Sequence, residues 1–241
     1  MDWIIIIILA LGLPVLGGLI GVYLVSKKYY YIKNNLQEFG LEEEQEFRKN
    51  FGKYMVFQQM FVTACVYGLL ILILFWSFSR DLETTPSNLS KMGVACAMAI
   101  GVPGLFCNIS RGLIMREGFA SVVRDPKNFG RAIVHVTTVE TSLIYGLLIA
   151  ILSFSFSGLF RGEFTLTCDQ TDEMLIAVII FSALSAGILL SGLLINRVEE
   201  PFSPLNFAKG IQMNLVGAIP PIIGLAYVII KFNEIGLFTG G

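Results

Sequence analysis

Charge is what this chain has least of: Lys, Arg, Asp and Glu make up 15% of its 241 residues, against roughly 25% in an average soluble chain. The net charge is −1, so no basic excess points to nucleic acid. Histidine occurs once, at His135, and cysteine four times, at Cys65, Cys96, Cys107 and Cys168. Their spacing gives neither a metal-ligand set nor a disulfide framework. The first three cysteines fall in apolar runs, where a thiol serves as a small packing group, and Cys168 reads as standing alone in a loop. No P-loop or other nucleotide motif is found, so the chain is not expected to be an enzyme by itself.

Apolar residues are abundant instead: 55% of the chain is hydrophobic and the mean hydropathy is +0.73. Six uncharged or nearly uncharged runs cover 3–26, 54–79, 92–110, 132–160, 174–196 and 210–230. Each is as long as a bilayer-crossing helix or close to it. An all-α membrane protein of six transmembrane helices follows. The first run lacks a basic segment before it and exceeds a signal-peptide core, so it reads as a retained membrane helix. The third ends at Arg111, where the helix is expected to leave the hydrocarbon with Arg111 and Arg116 snorkelling or facing a protein surface.

The runs repeat in pairs. Tyr67-Gly68 recurs as Tyr145-Gly146, 78 positions on (67 to 145), and the turn 49–53 then aligns without gaps with 127–131. A third copy follows at the same shift, with Asn206-Phe207-Ala208-Lys209 leading to Gly224. Gly12-x-Pro14 and Gly101-x-Pro103 echo each other at 89 positions (14 to 103), so the first loop is the longer one. Three tandem helical hairpins are the natural reading: 1–80, 91–160 and 173–232. Small residues recur every fourth position in the first helix of each: Gly17 and Gly21; Gly93, Ala97 and Gly101; Ala183, Gly187 and Ser191. Such ladders let helix backbones approach closely in lipid.

Thirteen of the seventeen basic residues lie in 27–53, 111–131 and 197–209. This bias puts the hairpin loops in the cytoplasm and both termini outside. The first loop also holds an acidic patch, Glu42-Glu43-Glu44-Gln45-Glu46, read as a solvated helix turn or as a contact for a partner. His135 reads as a structural residue, Asn214 as an interhelical hydrogen-bonder, and Pro220-Pro221 as a bend in the sixth helix.

One carboxylate interrupts the fourth run. Glu140 lies fourteen positions after Pro126 and five before Tyr145-Gly146. An acid at that depth costs at least about 2.5–3.5 kcal/mol on insertion scales and is a functional candidate by default. The turn Val123-Arg124-x-Pro126, Glu140, and the run Ile144-Tyr145-Gly146-Leu147-Leu148-Ile149-Ala150-Ile151 together resemble the proteolipid (rotor-ring) subunits of V-type and A-type ATPases. The likeness covers about thirty residues and is nearest the c″-type proteolipid.

The resemblance implies that the three hairpins form a segment of a rotor ring and that Glu140 binds the transported ion. Its expected partners are further proteolipid copies, a stator a/I-type subunit with an arginine, a central stalk subunit at the cytoplasmic loops, and the lipid bilayer. No nucleic acid or cofactor is implied; the transported ion is H+ or Na+. At the register of Glu140 the other hairpins carry Val62 and Ala218, which implies one ion site per chain. Thr137, Thr141 and Tyr145 on the same helix, with Gln58 and Gln59 on the second, are candidate supporting groups. Thr63 and Ala64 stand where sodium-type rings of the family have threonine and glutamine, which favours protons. An endomembrane of vacuolar type and a prokaryotic plasma membrane both fit. The alternative is a six-helix carrier or structural scaffold in which Glu140 is a buried polar clamp.

Overall fold

With few charges to interrupt them, the apolar runs satisfy their backbone groups internally, and in lipid that means helix. The computed structural model describes residues 3–41, 44–80, 82 and 88–238, without the side chain of Glu46. It shows six helices long and apolar enough to cross a membrane: Trp3–Asn34, Phe51–Arg80, Leu89–Arg124, Pro126–Phe156, Cys168–Ile195 and Phe207–Glu234. They are called the first to sixth spans below. No strand occurs among the described residues. The chain is an integral, multi-pass membrane protein, and each apolar run falls inside one of these helices or overlaps it along most of its length.

The spans stand in two rows of three. The third packs between the first and the fifth, and the second, fourth and sixth lie against them, with the fourth between the other two. The third span is the axis of the bundle, two-thirds buried along its apolar stretch where the others are less than half buried. Large apolar side chains such as Ile4, Leu19, Val62, Trp76, Ile144, Leu193 and Ile223 point outward, as lipid or neighbouring protein requires.

Four spans are not continuous α-helix. The first widens to a π-helical stretch at Ile8–Gly12. The second breaks between Phe51–Gln59 and Val62–Arg80, and the fourth between Phe129–Thr138 and Thr141–Phe156. The fifth breaks between Cys168–Ser185 and Ile188–Ile195. The second- and fourth-span breaks fall within one residue of equivalent repeat positions, at 60–61 and 139–140. Sequence patterning gave no sign of them, because neither contains Gly or Pro.

Three expectations need correction. Cys168 is not in a loop: it is the first residue of the fifth span, capped by Thr167, whose hydroxyl accepts from the Gln170 amide while the Gln170 side chain accepts from the Thr167 amide. This capping box was legible as Thr-x-x-Gln. Ala183, placed in a close-packing ladder, is exposed. Arg111 neither snorkels nor faces a surface; it is 0% exposed in the middle of the bundle. Removing it from the loop count leaves twelve basic residues there.

The acidic patch of the first loop is partly visible. Glu42 and Glu43 lie outside the described residues, whereas Glu44 begins a short helix, Glu44–Arg48. Glu44 pairs with Arg48 at 3.2 Å and with Lys33 at 3.4 Å.

Candidate functional site

The site is assembled on the third span. Close contacts of small residues bring the first span against it: a side chain at Gly17 would run into the backbone of Leu105, and one at Gly21 into the carbonyl of Asn108. That proximity lets Asn108 reach across two interfaces. Its amide nitrogen donates to the carbonyl of Pro14 at 2.9 Å and to that of Phe61 at 3.3 Å. Asn108 thereby ties the first and second spans to the third.

One helical turn on, Arg111 extends toward the outer row. Its Nη1 donates to the Met60 carbonyl at 2.9 Å, to Thr63 Oγ1 at 2.7 Å and to Asn108 Oδ1 at 3.4 Å. Met60 and Phe61 form the break in the second span, and an interrupted helix leaves carbonyls without their i+4 amides. The break thus supplies neutral acceptors to both Arg111 and Asn108. The other terminal nitrogen, Nη2, lies 2.6 Å from Oε1 of Glu140.

Glu140 stands at the break of the fourth span, with its amide donating to the Thr137 carbonyl. Its side chain is 18% exposed, with Oε1 against the guanidinium. A charge pair at this depth is stable only when the remaining hydrogen-bonding capacity of both ions is met. Nη1 meets it through three acceptors, whereas Nε is buried without a hydrogen-bond partner among the described residues. Cys107 on the third span and Tyr67 on the second are the other titratable side chains near Arg111 among the described residues.

The supporting residues expected from sequence are placed as follows. The hydroxyls of Thr137 and Thr141 donate to their own helix, at the Val134 and Thr138 carbonyls. Tyr145 packs with the apolar cluster around Ile100 and Ile149. Gln58 donates to Ser26 Oγ at 3.3 Å, and Gln59 is exposed. At the equivalent positions, Val62 is 55% exposed and Ala218 is buried.

The residues missed by sequence reading are therefore Arg111 and Asn108. A signal existed: an Asn and an Arg one turn apart, at the end of an apolar run, are polar groups at membrane depth. Asn214 bonds between helices, as expected, and its partner is His135. The Asn214 amide lies 3.0 Å from His135 Nδ1 and 3.0 Å from the His135 carbonyl, linking the fourth and sixth spans.

Six helices long enough to cross a membrane, with Glu140 midway along the fourth, are the features to be matched. Comparison with known proteins falls on the same hairpin: the family model for the C subunit of ATP synthase matches residues 94–153. The chain is also 34% identical over 113 residues to the A-type ATP synthase subunit K of Methanocaldococcus jannaschii. That alignment takes in 47% of this chain and 50% of the relative, so the chain spans half the length of the curated relative it matches. No solved structure matches. The stretch that holds the third and fourth spans is thus similar to the C/K subunits of ATP synthases.

Proposed function

We propose that the chain is a rotor-ring subunit of a V/A-type rotary ATPase, and that Glu140 carries protons or sodium ions across the membrane as ATP hydrolysis by partner subunits turns the ring. The observation that carries this reading is the position of Glu140: a lone acid near the middle of a 31-residue span, in the hairpin that the family model matches, with 18% of its side chain exposed. A group so placed is shielded from water yet reachable by a stator sliding past.

In this reading 1–80, 91–160 and 173–232 are three hairpins of which only the second carries an ion. The others complete the ring beside further copies, with their loops meeting the central stalk in the cytoplasm and the termini on the opposite side. One carrier per three hairpins means fewer ions per turn and more ATP energy per ion, which suits steep gradients. Protons remain the favoured ion: the hydroxyls of Thr137 and Thr141 donate to the Val134 and Thr138 carbonyls of their own helix, and the Gln58 amide nitrogen donates to Ser26.

Glu140→Gln in the assembled complex tests the reading. The ring assembles, since the amide oxygen still accepts from Arg111, and ATP-driven ion transport is lost. Normal transport by E140Q would refute it. A second reading has its own support in the 2.6 Å contact between Arg111 and Glu140: the acid is a polar clamp in a structural, non-carrying proteolipid. That reading expects E140Q to leave transport unchanged.

A further inference from the structure

We propose that Arg111 is a built-in counter-charge that competes with the transported cation for Glu140; this rests on Glu140 being the ion carrier. The arginine expected to draw the carboxylate off its ion belongs, by resemblance, to a stator subunit, and here one already sits within the rotor chain. Nη2 of Arg111 occupies the place beside Oε1, at 2.6 Å, that a bound cation would take. A guanidinium does not release its proton in proteins, so the competitor is permanent.

The consequence is a change in which state of the site is neutral. A lone carboxylate can face hydrocarbon only when loaded, because an unpaired buried charge is too costly. With Arg111 beside it, the empty site is neutral and the loaded one carries a net positive charge. Loading leaves the guanidinium with Met60 O, Thr63 Oγ1 and Asn108 Oδ1, three uncharged acceptors. The titratable side chains near it among the described residues, Cys107 and Tyr67, offer no second carboxylate to take over. A cation therefore binds Glu140 less readily than it would bind the same acid without Arg111, and the second hairpin can turn through lipid empty.

Carbodiimide, which consumes a protonated carboxyl, reads this competition in membranes holding the assembled complex. Glu140 labels slowly in the wild type and roughly tenfold faster or more in R111Q, the scale set by losing an opposite charge at contact distance. R111K, which keeps the charge, stays slow. Equal labelling rates in wild type and R111Q would overturn the proposal. Should R111Q fail to assemble, the infrared difference between wild type and E140Q decides: an ionised carboxylate band at neutral pH supports the counter-charge, and a protonated carboxyl band removes it. The two ideas fail separately. Normal transport by E140Q sinks the carrier reading whatever the labelling shows, whereas lost transport with unchanged labelling in R111Q keeps the carrier and discards the competitor.

Discussion

Gly146 of the fourth span lies against the carbonyl oxygen of Ala99 in the third, so closely that a Cβ would run into it. Gly68 lies against the carbonyl of Ala10 in the same way. These two contacts are offset by 78 positions on one side (68 to 146) and 89 on the other (10 to 99), the spacings of the Tyr-Gly and Gly-x-Pro repeats. The repeat is thus expressed as a packing contact. Each Tyr-Gly pair marks where an outer helix backs onto an inner one.

Replacing either glycine by alanine should push the two helices apart. Overpacking of this kind costs about 1–3 kcal/mol, and thermal unfolding in detergent should show G68A and G146A below the wild type. Gly130, helical and with open space around it, is the control. G130A should be neutral or stabilising by roughly 0.5–1 kcal/mol, through the lower backbone entropy of alanine.

Arg111 and Glu140 should be strongly coupled in a double-mutant cycle. Breaking a buried pair costs about 3–5 kcal/mol because the survivor is left uncompensated, and the partial exposure of Glu140 places these variants toward the lower end. R111Q/E140Q should be less destabilised than the sum of the single variants, by at least about 1 kcal/mol. Additive unfolding temperatures would show that the two groups do not share one interaction.

Asn108 should matter for the seating of the first span. Asn108→Ala deletes the side-chain bonds to the Pro14 and Phe61 carbonyls, at about 0.5–1.5 kcal/mol each. Hydrogen exchange should rise in the first span and around 60–63, with the fifth and sixth spans unchanged.

Glu44 offers a pH test at the loop end. The hydrogen bond from Arg48, then that from Lys33, holds its carboxyl below the ordinary value. A depressed value in the folded state means that the contribution is present above the unfolded value and disappears as pH falls through the folded one. The group is fully exposed, so salt screens it. At low salt E44Q should unfold slightly below the wild type at neutral pH and converge with it on acidification, and at high salt the two should coincide throughout.

Much of the fold was legible because its signals are local. Run length and missing charge mark a span wherever the surrounding solvent is lipid, and Tyr-Gly spacing marks the repeat. Glu140 was legible for the same reason, as was the role of Asn214 as a bonder between helices. The environment of Glu140 was not. Arg111 sits at the end of its apolar run, where a long side chain ordinarily reaches water. What keeps it inside is the Met60 carbonyl, freed by a helix break at residues with no breaking tendency, and the Asn108 side chain. Both depend on how the second span meets the third, which no single stretch of sequence encodes.

The π-helical stretch at Ile8–Gly12 amounts to one surplus residue in an otherwise α-helical rod. It is flanked on two sides, by Gly68 against Ala10 and by Gly101 against Leu9. Deleting one residue there would restore ordinary winding and rotate everything before it by about 100°. Ile6, now 1% exposed and in the same core cluster as Phe75 and Met92, would swing away from the core. The opening turn of the chain therefore holds its phase through a single inserted amino acid, and this part of the bundle tolerates a change of side chain better than a change of count.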